Sequence, residues 1–129
     1  MGTQNVWRLD GKTALITGGS EGIGLAIAKE LSSLGAKVII ASRSQEKLEK
    51  AMTDLASNQV QSCAADLSIK EGRLTLRNFV QKQGHLDILV NNLGQADRDP
   101  FIDMSEERIL GQIELNLLAT MALTKELYP

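Results

Sequence analysis

The chain has 129 residues, enough for one domain and too few for two. Apolar residues make up 43% and charged residues 23%, ordinary globular proportions that argue against gross disorder. Lys and Arg total 14 against 16 Asp and Glu, a net charge of -2, so no basic excess is available to neutralise a nucleic-acid backbone, and no DNA or RNA partner is expected. The lone cysteine, Cys63, can form neither an internal disulfide nor a Cys-rich metal site. Met1 to Asp10 carries no apolar run of signal-peptide length, and no stretch approaches the ~20 apolar residues that cross a membrane. The expectation is a soluble, cytoplasmic, single domain over residues 1–129, with an aliphatic core because aromatics are only 3%.

Short aliphatic runs alternate with amphipathic stretches. Thr13 to Thr17 is the first predicted strand, its brevity and following glycines favouring strand over helix. Ile23, Ile27, Leu31 and Leu34 follow at helical spacing and predict one apolar face, with Gly35 placed to end the helix. Lys37 to Ala41 is apolar on successive residues, as a parallel strand covered on both faces should be. A second helix is predicted from about Ser44, with Leu48, Ala51, Met52 and Leu55 on one side. A weaker strand spans Val60 to Ala65. Ser68 and Glu71 then match a capping box, opening a helix that carries Leu76, Phe79 and Val80 and ends at Gly84. Leu86 to Val90 is the fourth strand, and a polar loop runs from Asn91 to Asp103. The last helix is predicted from near Ser105 to about Tyr128. Strands alternating with helices imply βαβ units, a parallel sheet and right-handed crossovers. The doubly wound order 3-2-1-4 leads the remaining choices.

The segment between the first strand and helix, Thr17-Gly18-Gly19-Ser20-Glu21-Gly22-Ile23-Gly24, carries the chemistry. Gly18 permits a tight exit from the strand. Gly22, without a Cβ, lets a phosphate approach the backbone, and Gly24 lets the helix pack closely on the sheet. The free N–H groups of the first helical turn and the helix dipole then favour a diphosphate. A purely structural glycine turn is the alternative, and the strand before and helix after it favour nucleotide binding. At the end of the second strand, Ser42 and Arg43 lie 18 and 19 positions after Gly24, where NAD readers usually place an acidic residue. A guanidinium beside a hydroxyl suits a 2′-phosphate, so NADP(H), as NADPH over NADH, is the expected cofactor. An ordinary solvated charge is the other reading of Arg43.

These residues, with three further motifs in register, resemble the short-chain dehydrogenase/reductase family. The glycine turn is similar to that family's Thr-Gly-x-x-x-Gly-x-Gly. Asp66-Leu67 resembles the pair that holds the adenine ring, and Asn91-Asn92-Leu93-Gly94 resembles the Asn-Asn-Ala-Gly motif lining the cofactor site. Asn116 matches the Asn of the catalytic tetrad, whose implied partner is a water in a proton relay to a catalytic lysine. The resemblance therefore implies cofactor contacts from Thr17, Gly18, Ser20, Glu21, Gly22, Ile23, Gly24, Ser42, Arg43, Asp66, Leu67, Asn92, Leu93 and Gly94, and a catalytic role for Asn116. Each residue also has a plainer reading. Asp66 before Ser68 is good turn chemistry, and Asn91 and Asn92 suit a loop backbone. Asn116, at three and seven residues after Ile113 and Ile109, is predicted on a core-facing stripe, where a buried amide needs a partner. No metal is implied. His85 is expected at the surface, and Cys63 as a small core residue.

Two substitutions depart from the family pattern. Leu93 replaces a small residue, and Glu21 brings a negative charge where many NADP-dependent members carry a basic one. The family continues past the Asn-bearing helix to a catalytic Ser and a Tyr-x-x-x-Lys helix. Here the only tyrosine is Tyr128, and only Pro129 follows it. The resemblance thus implies the cofactor-binding portion of a carbonyl/alcohol oxidoreductase, inactive by itself. The alternative is a non-enzymatic dinucleotide-binding or interaction module, and a flavodoxin-like regulator is a more distant third. Residues Trp7 to Lys12 and the Arg43 region resemble tropinone-reductase-like members, a hint toward a small or cyclic ketone or alcohol. The strongly apolar last helix, with Leu110, Leu115, Leu117, Leu118, Met121 and Leu123, predicts self-association through that helix or through an exposed strand edge.

Overall fold

The computed structural model describes residues 7–129; the first six residues of the predicted N-terminal segment and domain lie outside the described residues. Four strands, β1 (Thr13–Thr17), β2 (Lys37–Ser42), β3 (Val60–Ala64) and β4 (Ile88–Val90), form one parallel sheet in the order β3-β2-β1-β4. This is the doubly wound order expected. Helices α1 (Gly22–Ser33), α2 (Gln45–Leu55) and α3 (Lys70–Lys82) make the crossovers. A 3-10 turn at Phe101–Asp103 precedes α4 (Glu106–Ile113), which runs through a π-helical segment, Glu114–Leu118, into α5 (Ala119–Leu127). Among the described residues no helix is long and apolar enough to cross a membrane.

Alternation along the strands divides the core into two layers. Ala14, Ile16, Val38 and Ile40 pack with Ala28 of α1 and Leu48 and Ala51 of α2. Leu15, Ile39, Ala41 and Cys63 pack with Leu76 and Val80 of α3 and with Ala119 and Leu123 of α5. Burial pushes the Cys63 thiol above its ordinary range, so it stays a small protonated core residue. Gly35 (φ 98°) and Gly84 (φ 103°) end α1 and α3 in the left-handed conformation that only glycine adopts without cost. Ser44 caps α2 by accepting from the Lys47 N–H at 3.3 Å.

Several sequence expectations are corrected. Ile69, not Ser68, precedes the first helical residue of α3, and no side chain caps it. Ser68 stands one position too early to accept from the N–H groups that open α3, and its hydroxyl donates instead to the Asp66 carboxylate, a charge-assisted bond at 2.6 Å. Ile23 is 75% exposed rather than part of the apolar face, and Gly24 and Ala28 are the buried residues of α1. The fourth strand begins at Ile88, two residues late, because Asp87 turns its carboxylate onto the Thr13 N–H at 2.9 Å. The single long helix is interrupted at Glu114–Leu118, and Ile113 and Leu117 on it are half exposed. His85 is exposed, as expected.

Leu76 is fully buried between α3, the sheet and α5. Leu76→Ala is expected to destabilise the fold by about 2–5 kcal/mol in a denaturant titration, through lost burial plus the cavity left behind.

Candidate functional site

A cleft of about 510 Å³ opens at the carboxyl ends of all four strands. Its walls come from the turn after β1 (Gly18, Ser20, Glu21, Ile23), the end of β2 (Ala41, Ser42, Arg43, Ser44, with Lys47 of α2), the segment after β3 (Ala65, Asp66, Leu67) and the loop after β4 (Asn92, Leu93, Gly94, Gln95), with Leu115 from the π segment. The strand order reverses between β1 and β4, so this is the switch point at which open α/β sheets bind ligands. Its volume is that of an ordinary small-molecule site.

The glycine turn is shaped by close approach. Gly18 (φ 63°) and Gly22 (φ 56°) adopt the left-handed conformation that side chains disfavour. A Cβ on Gly24 would come within 2.3 Å of the Gly18 carbonyl oxygen and 2.5 Å of Asn92 Nδ2, so helix α1 can seat here only on glycine. A Cβ on Gly22 would meet nothing within 4 Å, which leaves the start of α1 open on that side. Glu21 precedes α1 without capping it through its side chain, so the leading N–H groups of that helix are not taken by a local carboxylate.

Thr17 joins the two halves of the site. It is 1% exposed, and its hydroxyl accepts from the backbone N–H of Asn92 and of Leu93, both at 3.1 Å, while donating to the Val90 carbonyl at 3.3 Å. Asn92 returns a bond from its side-chain amide to the Gly18 carbonyl at 3.2 Å. Asn91 instead reaches α5, donating to Thr124 Oγ1 at 3.1 Å. The two adjacent asparagines therefore tie the loop after β4 to the glycine turn on one side and to the last helix on the other.

Asp66 accepts from both the hydroxyl (2.6 Å) and the N–H (3.0 Å) of Ser68. The Ser68 hydroxyl does most to hold its carboxyl below the ordinary range; burial opposes this, and the Ser68 N–H and the Arg43 charge add to it. Asp66 is thus an ionised acceptor at neutral pH. It also sits against α3 with no space to spare: a Cβ on Gly72 would run into the Asp66 backbone carbonyl.

Asn116 does not occupy a buried stripe. Its residue is exposed, and its amide is paired in both directions with the backbone of Gln95, accepting from the N–H at 2.8 Å and donating to the carbonyl at 2.9 Å, with a further bond to Gln112 at 3.2 Å. The partner of the Asn116 amide in the structure is therefore the backbone of Gln95, in the loop after Gly94. The side chain of Gln95 continues across the cleft and accepts from Arg43 at 3.1 Å. Gly94 lies so near that a Cβ there would stand 3.3 Å from Asn116 Oδ1. Sequence reasoning did not single out Gln95 or Lys47. The signal available for them was position only, Gln95 directly after Gly94 and Lys47 in the first turn of α2.

Of the residues named from sequence, Gly18, Ser20, Glu21, Ile23, Ser42, Arg43, Asp66, Leu67, Asn92, Leu93 and Gly94 line this one cleft. Thr17, Gly22, Gly24 and Asn116 lie behind or beside it and shape its walls through the contacts described. The short chain dehydrogenase family profile matches residues 12–129. The chain belongs to the short-chain dehydrogenase family. It is 37% identical to a tropinone reductase homologue of Arabidopsis thaliana across its full length, covering 50% of that protein. It is 35% identical to senescence-associated protein 13 of the same plant, covering 49% of it. Among solved structures, it superposes on the Pseudomonas aeruginosa RhlG/NADP complex with a TM-score of 0.88 at 34% identity, over 95% of this chain and 49% of that one. L-Sorbose reductase from Gluconobacter frateurii, complexed with NADPH and L-sorbose, gives a TM-score of 0.88 at 32% identity, over 95% and 48%. The chain thus spans about half the length of these relatives and corresponds to an N-terminal portion of the family fold.

Thr17→Val keeps the shape of residue 17 and removes the acceptor of the Leu93 N–H. Chemical denaturation is expected to show a loss of about 1–3 kcal/mol, while Thr17→Ser stays near wild type.

Proposed function

We propose that this chain is the cofactor-binding portion of an NADP(H)-dependent oxidoreductase acting on a carbonyl or alcohol substrate. The observation that carries the reading is the cleft itself. A glycine turn with an unobstructed helix start faces it, and the strand end that reads the ribose offers Ser42 and Arg43 and no carboxylate. Leading N–H groups of α1 and the backbone of Gly18, Ser20, Gly22 and Gly24 would hold the diphosphate, with Thr17 fixing the turn and Ile23 covering the ligand. Ser42 and Arg43 would take the 2′-phosphate, a guanidinium and hydroxyl being suited to its oxygens. Asp66 and Leu67 would flank the adenine, one as ionised acceptor and one as apolar wall. Asn92, Leu93 and Gly94 would line the nicotinamide half. The NADP and NADPH complexes of two structural relatives support the cofactor class.

A bound nicotinamide supplies or accepts a hydride. A carbonyl receiving it also needs a proton donor for the developing alkoxide. No Tyr-x-x-x-Lys spacing occurs in these 129 residues, so they do not supply the donor that the family resemblance implies. Asn116 supports the loop at Gln95 and acts here as a positioning residue. The exposed apolar side chains of Leu110, Leu117, Leu118 and Met121 are the surface through which we expect a second copy, or the remaining half of the enzyme, to be buried.

Calorimetric titration tests the cofactor assignment. NADPH is expected to bind more tightly than NADH, and Arg43→Gln to weaken NADPH by roughly tenfold while leaving NADH within about twofold. Equal affinities in the unaltered protein would contradict it. The 129-residue segment assayed alone with ketones is expected to oxidise no NADPH above background.

A further inference from the structure

Glu21 is a problem for any reader of a phosphorylated ribose, because it sets a negative charge at the mouth of the cleft. The structure shows what becomes of that charge. Lys47 Nζ lies 2.7 Å from Glu21 Oε1, an ion pair that spans the cleft rim from the glycine turn to the first turn of α2. Both side chains remain accessible, at 53% for Lys47 and 66% for Glu21, and both residues line the cleft.

The charge balance shows what else is required. The cleft is lined by two carboxylates, Glu21 and Asp66, and two cations, Arg43 and Lys47. A phosphate monoester carries about -1.5 to -2 near neutrality, more than one guanidinium offsets. Arg43 is already divided, since Gln95 accepts from it and its charge acts on Asp66. Lys47 is the remaining cation of the lining. It stands four residues after Arg43, on the helix that leaves the same strand end. Its ammonium carries three donors, so one bond to Glu21 leaves two for another acceptor.

We propose that Lys47 is a second ligand of the cofactor's 2′-phosphate, held at the rim by Glu21. This rests on the NADP(H) reading above and deepens it. Glu21 anchors the ammonium across the mouth, and the phosphate is gripped between it and the Arg43 guanidinium. A flexible lysine is thereby given a fixed position without losing its capacity to donate. The preference for a phosphorylated cofactor then depends on both cations, and the acidic residue in the glycine turn is compatible with that preference because it is paired.

Calorimetric titration of the intact protein with NADPH and NADH, in the wild type, Lys47→Gln, Glu21→Gln and the double variant, tests this. Lys47→Gln is expected to weaken NADPH by roughly tenfold and NADH by less than about twofold. The double variant is expected to stay weaker for NADPH than Glu21→Gln by a similar factor. Unchanged NADPH affinity in Lys47→Gln would overturn the proposal while leaving the NADP(H) reading intact. Recovery of wild-type affinity in the double variant would also overturn it, since Lys47 would then only screen Glu21. Should the wild type bind neither dinucleotide, both the proposal and the reading beneath it fail.

Discussion

Gly24 packs against the Gly18 carbonyl and the Asn92 amide with no room for a methyl group, and the site depends on that contact. Because α1 can approach so closely, its first turn lies at the carboxyl end of β1, beside the cleft. Because Asn92 is part of the same contact, the loop after β4 is brought to the glycine turn although the two are more than seventy residues apart in sequence. The Thr17 hydroxyl completes the junction with two accepted bonds and one donated bond, all from the β4 side. Buried polar groups satisfied in this way fix geometry, since any displacement leaves a donor without a partner. The loop is therefore held in place before any ligand arrives.

A second chain of contacts crosses the cleft. Arg43 at the end of β2 donates to the Gln95 side chain, and the Gln95 backbone is clamped by the Asn116 amide. Asn116 stands within the π segment, where the helix is locally overfull and its backbone bonds are re-paired. Such segments occur often at functional sites. The Arg43 end of the cleft is thus linked by three hydrogen bonds to the helical segment that bears Asn116. The charged residues are arranged in the same economical way: Glu21 with Lys47, and Asp66 within the field of Arg43.

Much of the fold could be read from sequence because periodicity and glycine placement are local properties. The aliphatic runs at Thr13 to Thr17 and Lys37 to Ala41 became β1 and β2, and Gly35 and Gly84 ended the helices they were expected to end. Differences arose where a specific contact, near or far in sequence, overrode a rule of spacing. Ser68 fitted a cap for α3, but the helix begins one residue too late for it, and its hydroxyl is held by the Asp66 carboxylate. Ile23 fitted the apolar spacing of α1, but it is the adjacent Gly24 that seats against Gly18 and Asn92, and Ile23 is left exposed. Asn116 fitted a buried stripe, but the π segment and the backbone of Gln95 placed it otherwise. Lys47 and Gln95 escaped notice because nothing adjacent in sequence marks them; only folding brings each opposite Glu21 or Arg43.

In the function proposed above, amides opening α1 hold the diphosphate of a dinucleotide. Backbone amide chemical shifts followed by NMR during NADPH addition test it directly. The largest changes are expected at Ser20 to Gly24, with smaller ones at Arg43 and Gly94. Changes confined to another surface, with the glycine turn unaffected, would contradict it.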